Sequence, residues 1–149
     1  SRFIWNMSKK SEIHLGNNVK IGTGSKLHNQ GQITIGTGVN FSGEATIICN
    51  KSISFGNECL VSWQTLFMDS DLHIITDSNG NTLNSDANVI IDDKVWVGAK
   101  ATVLKGSKVA KSCVIASGAV VVGTYPPESI LGGNPAKVIG DMDGKQFHH

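Results

Sequence analysis

A six-residue rhythm of aliphatic and aromatic side chains runs through most of this chain and restricts its possible folds more than any other feature. From Ile13, three blocks of twenty residues align as IHLGNNVKIGTGSKLHNQGQ, ITIGTGVNFSGEATIICNKS and ISFGNECLVSWQTLFMDSDL, so that Leu15, Ile35 and Phe55 coincide, each followed by glycine. Within them Leu15, Ile21, Leu27 and Ile33 are six apart, as are Ile35, Phe41, Ile47 and Ile53, and then Phe55, Val61 and Phe67. The rhythm resumes with Ile91, Val97, Val103, Val109, Ile115 and Val121, now closing every eighteen residues. An amphipathic helix needs apolar residues three and four apart, so this spacing rules one out. A β-sandwich of short strands has no reason to hold one register from residue 91 to residue 121. The pattern predicts an all-β triangular solenoid, a parallel β-helix in which each hexad supplies one strand and one corner.

In such a coil the aliphatic residue points inward. The residue four later, often small or β-branched (Val19, Ser25, Val39, Ala45, Cys59, Val95, Ala101, Ser107, Cys113, Ala119), fills the space beside it. Cys59 and Cys113 read as compact apolar fillers. Rungs about 4.8 Å apart stack like on like, and each fully buried aliphatic side chain contributes about 1.5 to 3 kcal/mol. Small or polar residues after the aliphatic one (Gly16, Gly22, Gly36, Gly56, Asp92, Gly98, Ala116) are expected at corners whose φ angles disfavour bulky residues. Residues 1–12, with Phe3, Ile4 and Trp5, are expected to cap the open first coil. The β-helix domain spans 13–139, with residues 73–88 as an extruded loop. The tail 140–149 ends in His148 and His149, which read as the start of a purification tag and are set aside.

Composition narrows the class. At 149 residues and 40% hydrophobic content, one domain with a real core is expected. Thirteen Lys and Arg against twelve Asp and Glu, without runs of one sign, leave no footprint for nucleic acid. The longest apolar runs fall far short of the roughly 20 residues that cross a bilayer, so no membrane insertion is expected. Three cysteines without a CxxC spacing argue against a disulfide framework and fit a reduced, cytoplasmic compartment. No charged-then-apolar signal segment opens the chain.

The repeat breaks once, at MDSDLHIITDSNGNTLNSDAN from Met68 to Asn88. A regular coil loops out an irregular segment, and long loops on rigid scaffolds commonly carry function. His73 stands at its entrance. If the segment is extended, Asp69, Asp71 and His73 share one face. Asp69, Asp71 and Asn84 are candidates for binding an acceptor, with Asn81, Ser85 and Asp86 nearby. Read from the residues alone, a solvated loop histidine among ordinary turn acids remains the alternative.

The hexads, the segment VWVGAKATVLKG (Val95 to Gly106) and the terminal turn PPESILGGNPAKVI (Pro126 to Ile139) together resemble the hexapeptide-repeat acyltransferases, in the branch of sugar and xenobiotic O-acetyltransferases. The resemblance covers Ile13 to Ile139. It implies a left-handed helix, against the usual right-handed preference of parallel crossovers, and a homotrimer with its sites between subunits. It implies acetyl-CoA as donor and His73 as the general base that takes a proton from the acceptor, a task suited to an imidazole whose pKa lies near neutrality. Ala99 and Ser117 match positions along the pantetheine arm, with Trp96 close by. Pro135 and Lys137 match the segment near the adenine and phosphates, where Lys137 would neutralise charge. Gly123 and Gly140 depart from the pattern, standing where relatives carry lysine and arginine. Trp63 is expected at a subunit interface or under the loop. The resemblance implies no metal. The zinc-dependent γ-class carbonic anhydrases share the fold but need a closely spaced histidine pair, and His14 and His28 do not supply one with His73.

The expected activity is acetyl-CoA-dependent O-acetylation of a sugar or polysaccharide-precursor hydroxyl, on a small-molecule or glycan acceptor. The alternatives are N-acetylation of an amino sugar nucleotide or an antibiotic, and a trimeric scaffold without activity.

Overall fold

One inward side chain in every six forces each hexad into a short strand and a tight turn, and that is how the chain folds. The computed structural model describes residues 2–149. β1 (Ile4–Met7) precedes the first coil of β2 (Glu12–Leu15), β3 (Lys20–Ile21) and β4 (Lys26–Asn29). The second holds β5 (Gln32–Ile35), β6 (Asn40–Phe41) and β7 (Thr46–Cys49), and the third β8 (Ser52–Phe55), β9 (Leu60–Val61) and β10 (Leu66–Met68). After the loop come β11 (Val89–Ile91), β12 (Trp96–Val97) and β13 (Thr102–Val103), then β14 (Lys108–Val109), β15 (Val114–Ile115) and β16 (Val120–Val121). A last coil carries β17 (Thr124–Tyr125) and β18 (Ser129–Gly133), and β19 (Ala136–Asp141) folds back antiparallel on β18.

These strands stack into three parallel sheets, the faces of a left-handed β-helix. The first face is β2-β5-β8-β11-β14-β17, the second β3-β6-β9-β12-β15-β18 with β19 added, and the third β1-β4-β7-β10-β13-β16. Register stacks like on like. Leu27, Ile47, Phe67, Val103 and Val121 form one buried column. Ile35, Phe55, Ile91, Val109 and Tyr125 form the second, and Phe41, Val61, Val97, Ile115 and Leu131 the third. At the middle of the helix Phe55 meets Phe41 and Phe67 edge to face, with centroids 5.2 and 4.8 Å apart, a geometry worth about 0.5 to 1.5 kcal/mol per pair beyond burial.

The corners explain where the loop leaves. In the first two coils the two residues beyond the hexads lie between the third and first faces, where β4 and β7 run on to the buried Asn29 and Cys49. The long loop leaves from this same corner one coil later. The last coil closes tighter than the hexads predict, with Val109 paired to Tyr125, sixteen residues on. The Tyr125 hydroxyl donates to the carbonyl of Ala136 at 2.8 Å, tying that coil to the terminal hairpin.

One expectation needs correction. Glycines such as Gly22 and Gly36 do not occupy left-handed backbone. They are required because the next rung is too close: a Cβ would stand 1.8 Å from the Ser42 carbonyl oxygen at Gly22 and 2.5 Å from that of Gly56 at Gly36. The left-handed positions fall later in each turn, at Asn18, Gly38, Glu58, Lys94 and Ser112 on one corner and at Gly24, Glu44, Gln64, Lys100 and Gly118 on the next. The segment bearing Phe3, Ile4 and Trp5 lies at the open end of the first coil, with Trp5 in register with the buried Leu27. Ile4–Met7 pairs in register with Lys26–Asn29 and adds one rung to the third face, with all three apolar side chains left exposed. Backbone pairing covers that edge of the third sheet.

Candidate functional site

The third-to-first corner is built on Asp69, whose side chain is fully buried (0% exposed). Its Oδ1 accepts from Asn50 N at 2.7 Å, and its Oδ2 accepts from Lys51 N and Ser52 N, each at 2.7 Å. Three otherwise orphaned backbone donors of the preceding coil thus converge on one carboxylate. The Cys49 thiol also donates to Oδ2 at 3.5 Å. Burial first, and the Asp69 charge second, push that thiol up to about 12, and burial pushes Cys59 up to about 11, so neither serves as a nucleophile near neutral pH. The acceptor contact expected of Asp69 therefore gives way to a structural role, because both its oxygens are spent on the backbone.

Nor do Asp69, Asp71 and His73 share an extended face. Leu72 adopts a left-handed φ of 65°, uncommon for a bulky residue, and turns the chain between Asp71 and His73. His73 is exposed, and its carbonyl accepts from Asn84 Nδ2 at 2.8 Å. Asn84 holds the loop from across it. Its Nδ2 also donates to Asp71 Oδ2 at 3.0 Å, and its Oδ1 accepts from Ile75 N at 2.6 Å. Expected at the acceptor, Asn84 instead spends its side chain on the backbone that carries His73.

Lys105, which the sequence reading passed over, completes the arrangement. Its Nζ lies 2.7 Å from Asp71 Oδ2 and donates to the carbonyls of Asn84 at 3.0 Å and Ser85 at 3.2 Å. These contacts hold the Asp71 carboxyl below its ordinary range, the Lys105 hydrogen bond being the largest cause and Asn84 the next. The signal for Lys105 lay in the period: two residues past Val103, it falls at the next pass of the corner from which the loop departs. Beyond Asn84 the loop tip is a small hairpin, with Thr76 bridged to Thr82 and Asp77 Oδ1 accepting from Asn79 N and Asn81 N. It presents Leu72, Ile74, Ile75 and Leu83 to solvent, exposed by 52, 74, 59 and 62%.

The residues expected at the donor lie elsewhere on the helix. Ala99 and Ser117 are successive rungs of the second-to-third corner, joined by Gly118 N donating to the Ala99 carbonyl at 2.9 Å. The hairpin of β18 and β19 follows on the next rung, with Pro135 exposed in its turn and Lys137 exposed opposite Gly132. Trp96 faces outward on β12, its Nε1 donating to Ser62 Oγ at 3.1 Å and its ring 5.9 Å from that of Phe147. The structure thus brings Ala99, Ser117, Pro135 and Lys137 to one corner and His73 to another. Gly123 lies on the corner of the His73 loop, and Gly140 on β19 against Ile130. Trp63 is half-exposed and covers Gly43, whose Cβ would stand 2.5 Å from the indole ring. Among the described residues no group of three or more His, Cys, Asp or Glu side chains is placed to hold a metal ion, and no helix is long and apolar enough to cross a membrane.

No family model matches the chain. Part of it is 45% identical, over 56 residues, to a 2,3,4,5-tetrahydropyridine-2,6-dicarboxylate N-acetyltransferase of Clostridium perfringens, a match covering 38% of this chain and 24% of that protein. An enzyme of the same name from Enterococcus faecalis is 46% identical over 61 residues, 41% of this chain and 26% of its own. The chain thus spans about a quarter of the length of the curated relatives it matches. Solved structures match far more of it. The polysialic acid O-acetyltransferase OatWY superposes with a TM-score of 0.77 at 24% identity, over 98% of this chain and 76% of that one. The hexapeptide-repeat acetyltransferase VCA0836 of Vibrio cholerae, in complex with acetyl coenzyme A, gives 0.75 at 22% identity over 86% and 70%. AntD, an N-acyltransferase of Bacillus cereus in complex with dTDP and 3-hydroxybutyryl-CoA, gives 0.73 at 19% identity over 91% and 78%. At these identities the likeness establishes a shared fold.

Proposed function

From the β-helix fold that this chain shares with hexapeptide-repeat acetyltransferases, we propose that it transfers an acetyl group from acetyl-CoA to a hydroxyl of a sugar or polysaccharide precursor, with His73 as general base. The observation that carries the reading is the single interruption of a regular coil. It exposes one imidazole on a loop whose backbone is tied down by Asn84 and Lys105. A hydroxyl is a weak nucleophile near neutral pH. An imidazole positioned to take its proton as the oxygen attacks the thioester carbonyl contributes about 10²- to 10⁴-fold. The proton then resides on the ring until it passes to the departing CoA thiolate.

In this reading the pantetheine arm runs along the Ala99–Ser117 corner beside Trp96, and the CoA phosphates meet Lys137 beyond Pro135. His73 and this corner belong to different edges of one helix, which supports a homotrimer in which the loop of one subunit reaches the donor corner of its neighbour. The exposed apolar side chains of Ile74, Ile75 and Leu83 at the loop tip support the same arrangement, since exposed apolar surface on an otherwise polar tip favours coverage by another surface. The free thiols of Cys49, Cys59 and Cys113 fit a cytoplasmic setting.

The test is release of CoA from acetyl-CoA in the presence of a panel of sugars. His73→Ala is expected to lower kcat/KM by about 100-fold or more, and a loss below about tenfold counts against base catalysis. N-acylation is the second reading, favoured by the N-acetyltransferase name of the sequence relatives and by AntD. Amino sugars in the same panel separate the two. Absence of saturable heat on titration with CoA would leave only a scaffold.

A further inference from the structure

A groove of 380 Å³ opens on the outer surface of the third face, at the root of the loop. Its position follows from register: Asn6, His28 and Ile48 are outward residues of three successive rungs, on β1, β4 and β7. Gln30, Asn50 and Leu72 complete its lining. The Ser70 hydroxyl joins the groove to the loop, accepting from Asn50 Nδ2 at 3.1 Å and from Leu72 N at 3.0 Å. The groove therefore ends one residue from His73.

Its chemistry is selective. No Lys, Arg, Asp or Glu lines it. Amide side chains and an imidazole both donate and accept, which suits the hydroxyls of a sugar. Ile48 and Leu72 supply an apolar surface for the C–H face of a ring. The volume lies at the small end of the roughly 300–1,000 Å³ typical of small-molecule sites, room for a mono- or disaccharide. An anionic sugar entering it would lose hydration without gaining a cationic partner. We infer that this groove binds an uncharged sugar ring of the acceptor and sets its hydroxyl toward the His73 loop. The inference rests on the reading of the chain as a sugar acetyltransferase, and it adds the subsite and the charge class of the substrate.

Binding and chemistry are tested separately. Ligand-observed NMR with methyl β-galactoside, methyl β-N-acetylglucosaminide and N-acetylneuraminic acid is run on wild type, His73→Ala, Ile48→Trp and His28→Ala, with thermal melting to verify folding and calorimetry to measure acetyl-CoA affinity. Ile48 points outward, so tryptophan there fills the groove without entering the core. Wild type and His73→Ala are expected to bind a neutral glycoside equally. Ile48→Trp is expected to bind it at least tenfold more weakly, with acetyl-CoA affinity unchanged, and His28→Ala to weaken it several-fold. The anionic sugar is expected to bind at least tenfold more weakly than the neutral ones. Undiminished glycoside binding by folded Ile48→Trp, preference for the anionic sugar, or no binding of either neutral glycoside overturns the proposal. Groove-dependent glycoside binding without any acetyl transfer supports the groove and overturns the activity instead.

Discussion

Asp69 and Asp71 stand two residues apart in sequence and do different work because one lies inside the wall and the other outside it. Asp69 replaces water for three amides that the widened corner leaves without strand partners. Each buried donor left unsatisfied costs about 1 to 3 kcal/mol. Asp69→Ala is accordingly expected to lose about 3 kcal/mol or more, measured by urea denaturation, whereas Asp69→Asn, with one accepting oxygen, should lose roughly half as much. An Asp69→Ala variant of unchanged stability would show that the corner does not depend on this carboxylate. Asp71, bound to Lys105 and Asn84, tunes the loop rather than the wall.

At the scale of elements, the loop is a latch hung on a rigid coil. Asn84 clamps Asp71, the His73 carbonyl and Ile75, and Lys105 ties both strands of the loop base to β13 and its turn. Asn84→Ala is expected to speed amide exchange at Ile75 and lower kcat while leaving acetyl-CoA affinity intact, because the proposed donor corner lies on another edge. The latch also has a definite pH dependence. The Asp71 carboxyl is held below its ordinary value in the folded state, so its stabilisation is present above the free carboxylate pKa of about 3.9 and is lost as pH falls through the lower, folded value. The Ile75 amide should therefore keep its NMR line shape from neutral pH to about pH 4 and broaden below that. In Lys105→Ala the broadening should begin at higher pH. An onset that does not move in this variant would argue against the Asp71–Lys105 contact as the latch.

For the whole molecule, the separation of the two proposed half-sites makes a prediction that a single chain cannot satisfy. One variant, His73→Ala, lacks the proposed base. Another, Ser117→Trp, blocks the proposed donor corner. Each alone is expected to be inactive, yet unfolding and refolding them together should restore about a quarter of wild-type activity, the share of interfaces in a random mixture that pair an intact loop with an intact donor corner. Mixtures as inactive as the separate variants would place both halves within one chain and end the intersubunit reading. Stability at this scale comes from the three columns. Phe55, fully enclosed and in edge-to-face contact with Phe41 and Phe67, is expected to cost about 3 to 5 kcal/mol on replacement by alanine.

The coil, its three faces and the place where it breaks could all be read from residue order. A six-residue period leaves only one way to turn every sixth side chain inward, and each rung repeats the instruction, so local errors cannot accumulate. The filler residues were legible for the same reason, Cys59 and Cys113 among them. The loop was not, because its order comes from contacts that no period announces: Asn84 reaching back to Asp71 and His73, and Lys105 arriving from the next pass of the corner. The tertiary structure also decided that Asp69 is wall and not site, since only stacking could show which amides the extra residues of the coil leave bare. It decided the reason for the glycines as well, because how close one rung passes to the next depends on the whole stack and not on any residue's own φ.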